Sequence, residues 1–216
     1  MPTLNWIGKE AVVKHHKEVP FRLLEPVPEL SCEKVGADGT AASGNLIVQG
    51  DNLLALKALL PRYAGQVKCI YIDPPYNTGQ DDRGADGQRT GWIYNDRVES
   101  PEIQEWLGKV VGIEAEDLCR HDKWLCMMYP RLRILKDFLR DDGIIFASID
   151  DIEVASLRML FDEIFGVTNR IGVIVWKNAT DNKTTQPKLP ASMSTCSATL
   201  KTSARLPASG KRQALK

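Results

Sequence analysis

Four consecutive residues, Asp73-Pro74-Pro75-Tyr76, bring together a carboxylate, rigid carbonyls and an aromatic ring. Each proline lacks an N–H and fixes φ, so neither a helix nor a strand ladder continues through this stretch. The run before it, Ile70-Tyr71-Ile72, is β-branched and aromatic and reads as the end of a buried strand. In open α/β sheets, ligands bind outside that end of the strands. The chemistry these groups suit is activation of an exocyclic amine on a base, such as adenine N6. The amine's lone pair is delocalised into the ring. Two hydrogen-bond acceptors on its N–H groups favour a pyramidal nitrogen and free that pair. Asp73 supplies one acceptor and the Pro74 carbonyl the other, and both gain most as positive charge develops on nitrogen. Asp73 need not deprotonate the neutral amine; it can relay the proton once a methyl group has been transferred. Tyr76 offers its face to a base flipped out of the duplex.

The surrounding pattern predicts the elements that must hold this segment. Asn45 to Gln49 reads as a strand, and Gly50-Asp51-Asn52 as a turn able to cap a helix. Leu53, Leu56, Leu59 and Leu60 then mark one helical face, ending at Pro61. With the strand at 67–72 this is the spacing of a parallel βαβ unit. Residues 77–100 are polar and glycine-bearing, a functional or mobile loop by length, and 101–120 read as a short helical excursion. Apolar residues from His121 to Arg140 recur at helical spacing until Asp142-Gly143. A strand from Ile144 to Ile149 ends in Asp150-Asp151, a helix continues to Gly166, and Ile171 to Trp176 is a further strand. Alternating strands and helices predict a doubly wound α/β sheet. The expected organisation is a lead-in over 1–44, a catalytic domain over 45–181 and a basic tail over 182–216 without apolar period.

Composition narrows the class without naming a ligand. Basic and acidic residues number 28 each, but seven basic ones come after Asp181, so the first 182 residues carry 21 against 28, a net of −7. That body would not by itself announce a DNA-binding surface. No apolar run approaches the roughly 20 residues needed to span a bilayer. Met1 to Glu10 lacks the apolar core of a secretory signal. The five cysteines form no C-x-x-C pair and have no companion histidine at metal spacing, so no metal site is expected. They read as reduced thiols, mainly buried small hydrophobes, in a cytoplasmic protein.

Several stretches together resemble a known family. They are Gly50-Asp51-Asn52-Leu53, the run from Ile70 to Gly79, Tyr94-Asn95-Asp96, and Trp124 with Met127, Met128 and Pro130-Arg131-Leu132. Phe146-Ala147-Ser148-Ile149-Asp150-Asp151, Asp162 to Gly166 and Val175-Trp176-Lys177 continue the match. The chain resembles the adenine-specific DNA methyltransferases of the permuted β type, most of all the modification (Mod) subunits of type III restriction–modification systems. The resemblance implies a Rossmann-like methyltransferase fold that uses S-adenosyl-L-methionine. It implies methylation of adenine N6 in double-stranded DNA, a restriction (Res) partner subunit and a Mod homodimer. Carried over by residue, Asp73, Pro74, Pro75 and Tyr76 are the catalytic motif, and Asp73 also lies near the cofactor. Asp51 is a candidate cofactor contact or a helix N-cap. Asn77 and Thr78 shape the pocket or only form the turn. Asp151 either belongs to the site with Asp150 or caps the next helix. Trp124 and the methionine pair read as core, and Arg89, Arg97 and Arg131 as solvated charges.

The chain also departs from that pattern. No Phe-x-Gly-x-Gly occurs in it, and no target-recognition region comes after the catalytic part, so the expected fold is incomplete. Where the family reads close to H-E-Y-V-L-C-Y-A, this chain has Ala191 to Thr199, Ala-Ser-Met-Ser-Thr-Cys-Ser-Ala-Thr. Suitable codons for those residues, read two bases later, spell K-H-E-Y-V-L-C-Y, so a frameshift near residue 182 is expected. The truncated chain is then expected to be inactive alone. The alternatives are transfer to cytosine N4, a non-catalytic remnant that binds DNA or a partner, and an unfolded product of a decayed gene.

Overall fold

The helix Arg120–Phe138 (α5) is the axis on which the other elements pack. The computed structural model describes residues 3–31, 44–77, 101–116, 118–177 and 193–201. Arg89, Arg97, Thr78 and the Tyr94-Asn95-Asp96 stretch lie outside the described residues. The helical spacing in α5 is realised: Trp124, Leu125, Met128, Leu132, Leu135 and Phe138 are all buried. Its first turn is closed by the Cys119 N–H donating to Asp122 Oδ2 at 3.1 Å.

Around α5 stand Lys9–Val13 (α1), His15–Glu18 (α2), Asn52–Tyr63 (α3), Pro101–Val110 (α4) and Val154–Phe165 (α6). Pro61 does not end α3, which runs two residues further. Proline's fixed φ is helical, and so late in a helix its missing N–H forfeits little. The lead-in is not separate from the core. Val12 is fully buried, Gly8 takes φ +85° where a side chain would strike Cys126, and Lys9 pairs with Glu163 of α6 at 2.9 Å.

Among the described residues four strands form one sheet: Val67–Ile72 (β1), Leu139–Asp150 (β2), Arg170–Lys177 (β3) and Met193–Lys201 (β4), in the order β1-β2-β4-β3. β1 and β2 are parallel, and β4 runs antiparallel to both of its neighbours. The parallel crossover therefore runs from β1 through α4 and α5 to β2. β2 begins five residues before the expected Ile144, with a register shift against β1 between Val67 and Cys69. Gly143 sits at that irregularity, where an added Cβ would lie 3.0 Å from the Arg140 and Val67 carbonyls. Ile145, Ala147 and Ile149 point into the core shared with α5 and α6.

Two expectations are corrected. Asn45–Gln49 forms no strand; it belongs to no ladder among the described residues, and Ile47 is 97 % exposed. An apolar run becomes a strand only where a partner edge accepts its backbone groups. Conversely, Met193–Lys201, read as part of a patternless tail, is a strand. Its local pattern is weak, but β2 and β3 both offer edges to it, and pairing on two sides outweighs propensity. The cysteine reading is corrected in part. Cys69 and Cys119 are exposed, while Cys126 is a buried thiol whose pKa is pushed up to about 11 chiefly by that burial. No helix among the described residues is long and apolar enough to cross a membrane.

Candidate active site

The Asp73–Tyr76 segment leaves the sheet at the C-terminal end of β1, where the expected strand-end position places it. Ile72 is in register with Ala147, which sets Asp73 beside Ser148 of β2. The Ser148 hydroxyl donates to Asp73 Oδ1 at 2.5 Å, and the Tyr76 hydroxyl donates to the same oxygen at 2.9 Å. Tyr71, two residues before Asp73 on the same face of β1, donates its hydroxyl to Ser148 Oγ at 3.1 Å. Asp73 is exposed while Ser148 is buried, so the carboxylate is fixed from behind and presented outward. Burial pushes the half-buried Tyr76 phenol above its usual 10; the bond from Ser148 opposes this, and the Asp73 carboxylate reinforces it.

The rest of the turn is held from below. Trp124 Nε1, in the first half of α5, donates to the Pro75 carbonyl at 2.7 Å. The carbonyl expected from sequence to accept an amine N–H is that of Pro74, which this bond leaves untouched. Asn77 closes the turn with φ +60° and is buried. Its side-chain amide donates to Glu153 Oε1 at 2.5 Å and to the Arg120 carbonyl at 3.4 Å. An outward carboxylate, a rigid carbonyl and a tethered aromatic ring at a parallel strand end fit recognition of a planar base carrying an amine.

Comparison with known proteins identifies the family. A family model described as DNA methylase, of the N6/N4 methyltransferase type, matches residues 67–196, more than half of the chain. The EcoP15I Mod subunit of a type III restriction-modification enzyme from Escherichia coli is 40 % identical over 197 residues, covering 83 % of this chain and 27 % of that protein. The EcoPI Mod subunit of Escherichia phage P1 is 39 % identical over 184 residues, covering 77 % of this chain and 25 % of that protein. A type II methyltransferase, M.KpnI from Klebsiella pneumoniae, is 36 % identical over 138 residues, covering 64 % of this chain and 27 % of that protein. The chain belongs to the DNA methylase family. It spans about a quarter of the length of these relatives.

Within this methylase frame the other candidates separate. Asp51 is the N-cap of α3: its Oδ1 accepts the Leu54 N–H at 2.9 Å, and Oδ2 faces Arg131 at 3.8 Å. Arg131 is not a solvated charge. Its Nε donates to Asn52 Oδ1 and its Nη1 to the Met127 carbonyl, both at 2.6 Å, and its guanidinium lies over the Trp106 ring. Burial lowers the Arg131 pKa, and Asp51 opposes that. Asp151 does not cap α6, because the capping position is Glu153. Trp124 is core, as expected, and also a direct support of the turn.

Ser148, Glu153 and His121 were not singled out from sequence. Ser148 carried a usable signal, because a hydroxyl inside an apolar strand must find a partner. Glu153 and His121 carried none, since residues from two helices meet only through the fold. His121 Nδ1 lies 2.7 Å from Glu153 Oε1.

Proposed function

We propose that this chain carries the base-binding and catalytic part of a site-specific DNA adenine-N6 methyltransferase of the type III Mod kind. The observation that carries the reading is the Asp73 carboxylate, held by Ser148 and Tyr76 at the end of β1 and turned toward solvent. Asp73 and the Pro74 carbonyl accept the two N–H groups of adenine N6, and Tyr76 stacks on the flipped base. S-adenosyl-L-methionine, when bound, supplies a methyl group on a positively charged sulfur. Asp73 then accepts the proton that the methylated amine releases. An aspartate rather than a serine at the first position of the motif favours adenine N6 over cytosine N4.

The residues present fit the base side of such a site better than the cofactor side. Asp51 is engaged by the α3 backbone and Arg131, so Asp73 is the one remaining cofactor-contact candidate. No Phe-x-Gly-x-Gly occurs in the 216 residues. We therefore place the glycine loop and the base-reading region in sequence outside this chain. A Res subunit and a second Mod copy belong to that assembled form. The frameshift near residue 182 belongs to the same proposal: nucleotides beyond it, read in the shifted frame, encode a Phe-x-Gly-x-Gly segment, and their failure to do so rejects it.

The activity test uses labelled S-adenosylmethionine and duplex DNA. The chain alone incorporates no methyl above a Tyr76→Ala control. Fused to the remaining sequence of the EcoP15I Mod subunit, it incorporates methyl on adenine N6, identified by mass spectrometry, and Tyr76→Ala abolishes this. Incorporation by the chain alone overturns the incompleteness, and label on cytosine N4 overturns the choice of base.

A further inference from the structure

Asn77 is the one described residue other than glycine with a left-handed backbone, at φ +60°. Side chains with a Cβ disfavour that region, and asparagine tolerates it best. Such conformations persist only where the surroundings hold them. What holds Asn77 is its buried amide, bonded to Glu153 Oε1 at 2.5 Å. Glu153 is itself wholly buried, and its Oε2 has no hydrogen-bond partner among the described residues. Its Oε1 also lies 2.7 Å from His121 Nδ1. Its place at the N-terminus of α6 offsets part of the cost of burying a carboxylate. A buried acid with one oxygen unused is a costly way to close a turn, unless the turn must be held in one form.

The other supports of the segment show what that form is. Ser148 of β2 holds Asp73, Trp124 of α5 holds Pro75, and Glu153 at the start of α6 holds Asn77. Three elements thus anchor every second residue, and Pro74 and Tyr76 are set between the anchors. We propose that Glu153 is a positioning residue of the methyltransferase site: through Asn77 it locks the end of the Asp73–Tyr76 segment, so that the Tyr76 ring is fixed for the base. The functional half of this statement rests on the adenine reading above; the conformational half does not.

The test uses the full chain and nuclear magnetic resonance. The Asn77 Cα and Cβ shifts report its backbone, the Tyr76 ring protons report the site, and the Trp124 indole N–H reports that the core is intact. Glu153→Ala is expected to move Asn77 out of the left-handed region and shift the Tyr76 ring, with the Trp124 signal kept. Adding Asn77→Gly to it restores the Tyr76 shifts, because glycine takes positive φ unaided. Glu153→Gln, which keeps an acceptor, stays close to the native chain. Titration with oligodeoxyadenylate, read at the Tyr76 ring, weakens about fivefold in Glu153→Ala and recovers in the double variant, as for one lost buried hydrogen bond.

An Asn77 that stays left-handed in Glu153→Ala overturns the proposal, as does a double variant that fails to restore Tyr76, which marks Glu153 as merely structural. If Glu153→Ala unfolds the chain, Asn77→Ala against Asn77→Gly decides: the alanine must displace the Tyr76 ring and the glycine must not. A native chain whose Tyr76 ring ignores the oligonucleotide refutes the adenine reading, while the Asn77 shifts still judge the clamp.

Discussion

Asp51 and Asp73 stand in similar local settings, each coming after an apolar stretch, yet the structure uses them in opposite ways. Asp51 turns back on its own chain and caps α3 by accepting the Leu54 N–H. Asp73 is turned outward, and the side-chain hydroxyls of Ser148 and Tyr76 hold it. The difference lies in the residues next in the chain. After Asp51 come Asn52, Leu53 and Leu54, whose free amides need an acceptor at the start of a helix. After Asp73 come two prolines. Pro75 has no N–H, and a residue before proline is pushed into extended conformation, so Asp73 and Pro74 cannot coil back to meet the Tyr76 amide. The prolines deny the carboxylate the amides that a helix start would offer and so leave it exposed at the strand end.

The largest test of this contrast is activity. In the fusion with the remaining EcoP15I Mod sequence, Asp73→Asn is expected to lower methyl transfer by about 100-fold or more, as for loss of one preorganised transition-state contact. Asp51→Asn should stay within about threefold, since asparagine caps a helix as well as aspartate does. A comparable loss in both assigns Asp51 to the cofactor after all, and the contrast fails. Next in size is Pro75→Ala, which returns an N–H to the turn and frees Pro74 to coil. It should cost about tenfold in kcat, roughly 1.4 kcal/mol, as Asp73 is drawn toward the backbone. An unchanged rate shows that Ser148 and Trp124 alone hold the turn.

How much of this was legible beforehand divides in the same way, between local and distant causes. The prolines, the apolar run before them and the helical spacing of Trp124 to Phe138 are local facts, and the strand end, α5, α6 and β3 were read from such facts. The role of Asp51 was left open because a cap and a ligand contact ask for the same residue, and only Arg131, 80 positions away, shows where the carboxylate is engaged. Asn45–Gln49 has the apolar content of a strand and joins no ladder among the described residues, while Met193–Lys201 lacks the content and pairs on two sides. Ser148, Trp124 and Glu153 act on the turn through distant contacts, which no spacing in one dimension encodes. That the Asp73–Tyr76 segment leaves the sheet at the end of β1 was therefore readable, and most of what fixes its geometry was not.

Stability should invert the order expected for activity. Asp51→Ala removes a cap and leaves Arg131 with a weaker set of partners, so it should cost about 1 kcal/mol in urea unfolding of the chain. Asp73→Asn should cost about 0.5 kcal/mol or less, because the side chain is exposed and the amide oxygen still accepts from Ser148 and Tyr76. Equal losses would mean that Asp73 is a structural residue like Asp51.

The smallest effect sharpens the contrast at the hydroxyl that holds Asp73. Burial raises the Tyr76 pKa above its usual 10. A raised folded value means that the neutral phenol contributes stability below pH 10, and that this is lost as pH rises through the folded value. Across the working range Tyr76 therefore stays a donor to Asp73, and methyl transfer by the fusion should show no inflection from it below pH 10. Tyr76→Phe keeps the stacking face and removes only the donor. It should lower the rate by about threefold to fivefold, the worth of one modest hydrogen bond, whereas Tyr76→Ala removes the platform as well. If Tyr76→Phe is as damaging as Tyr76→Ala, the hydroxyl rather than the ring is the working part, and Asp73 depends on Tyr76 as closely as Asp51 depends on the α3 backbone.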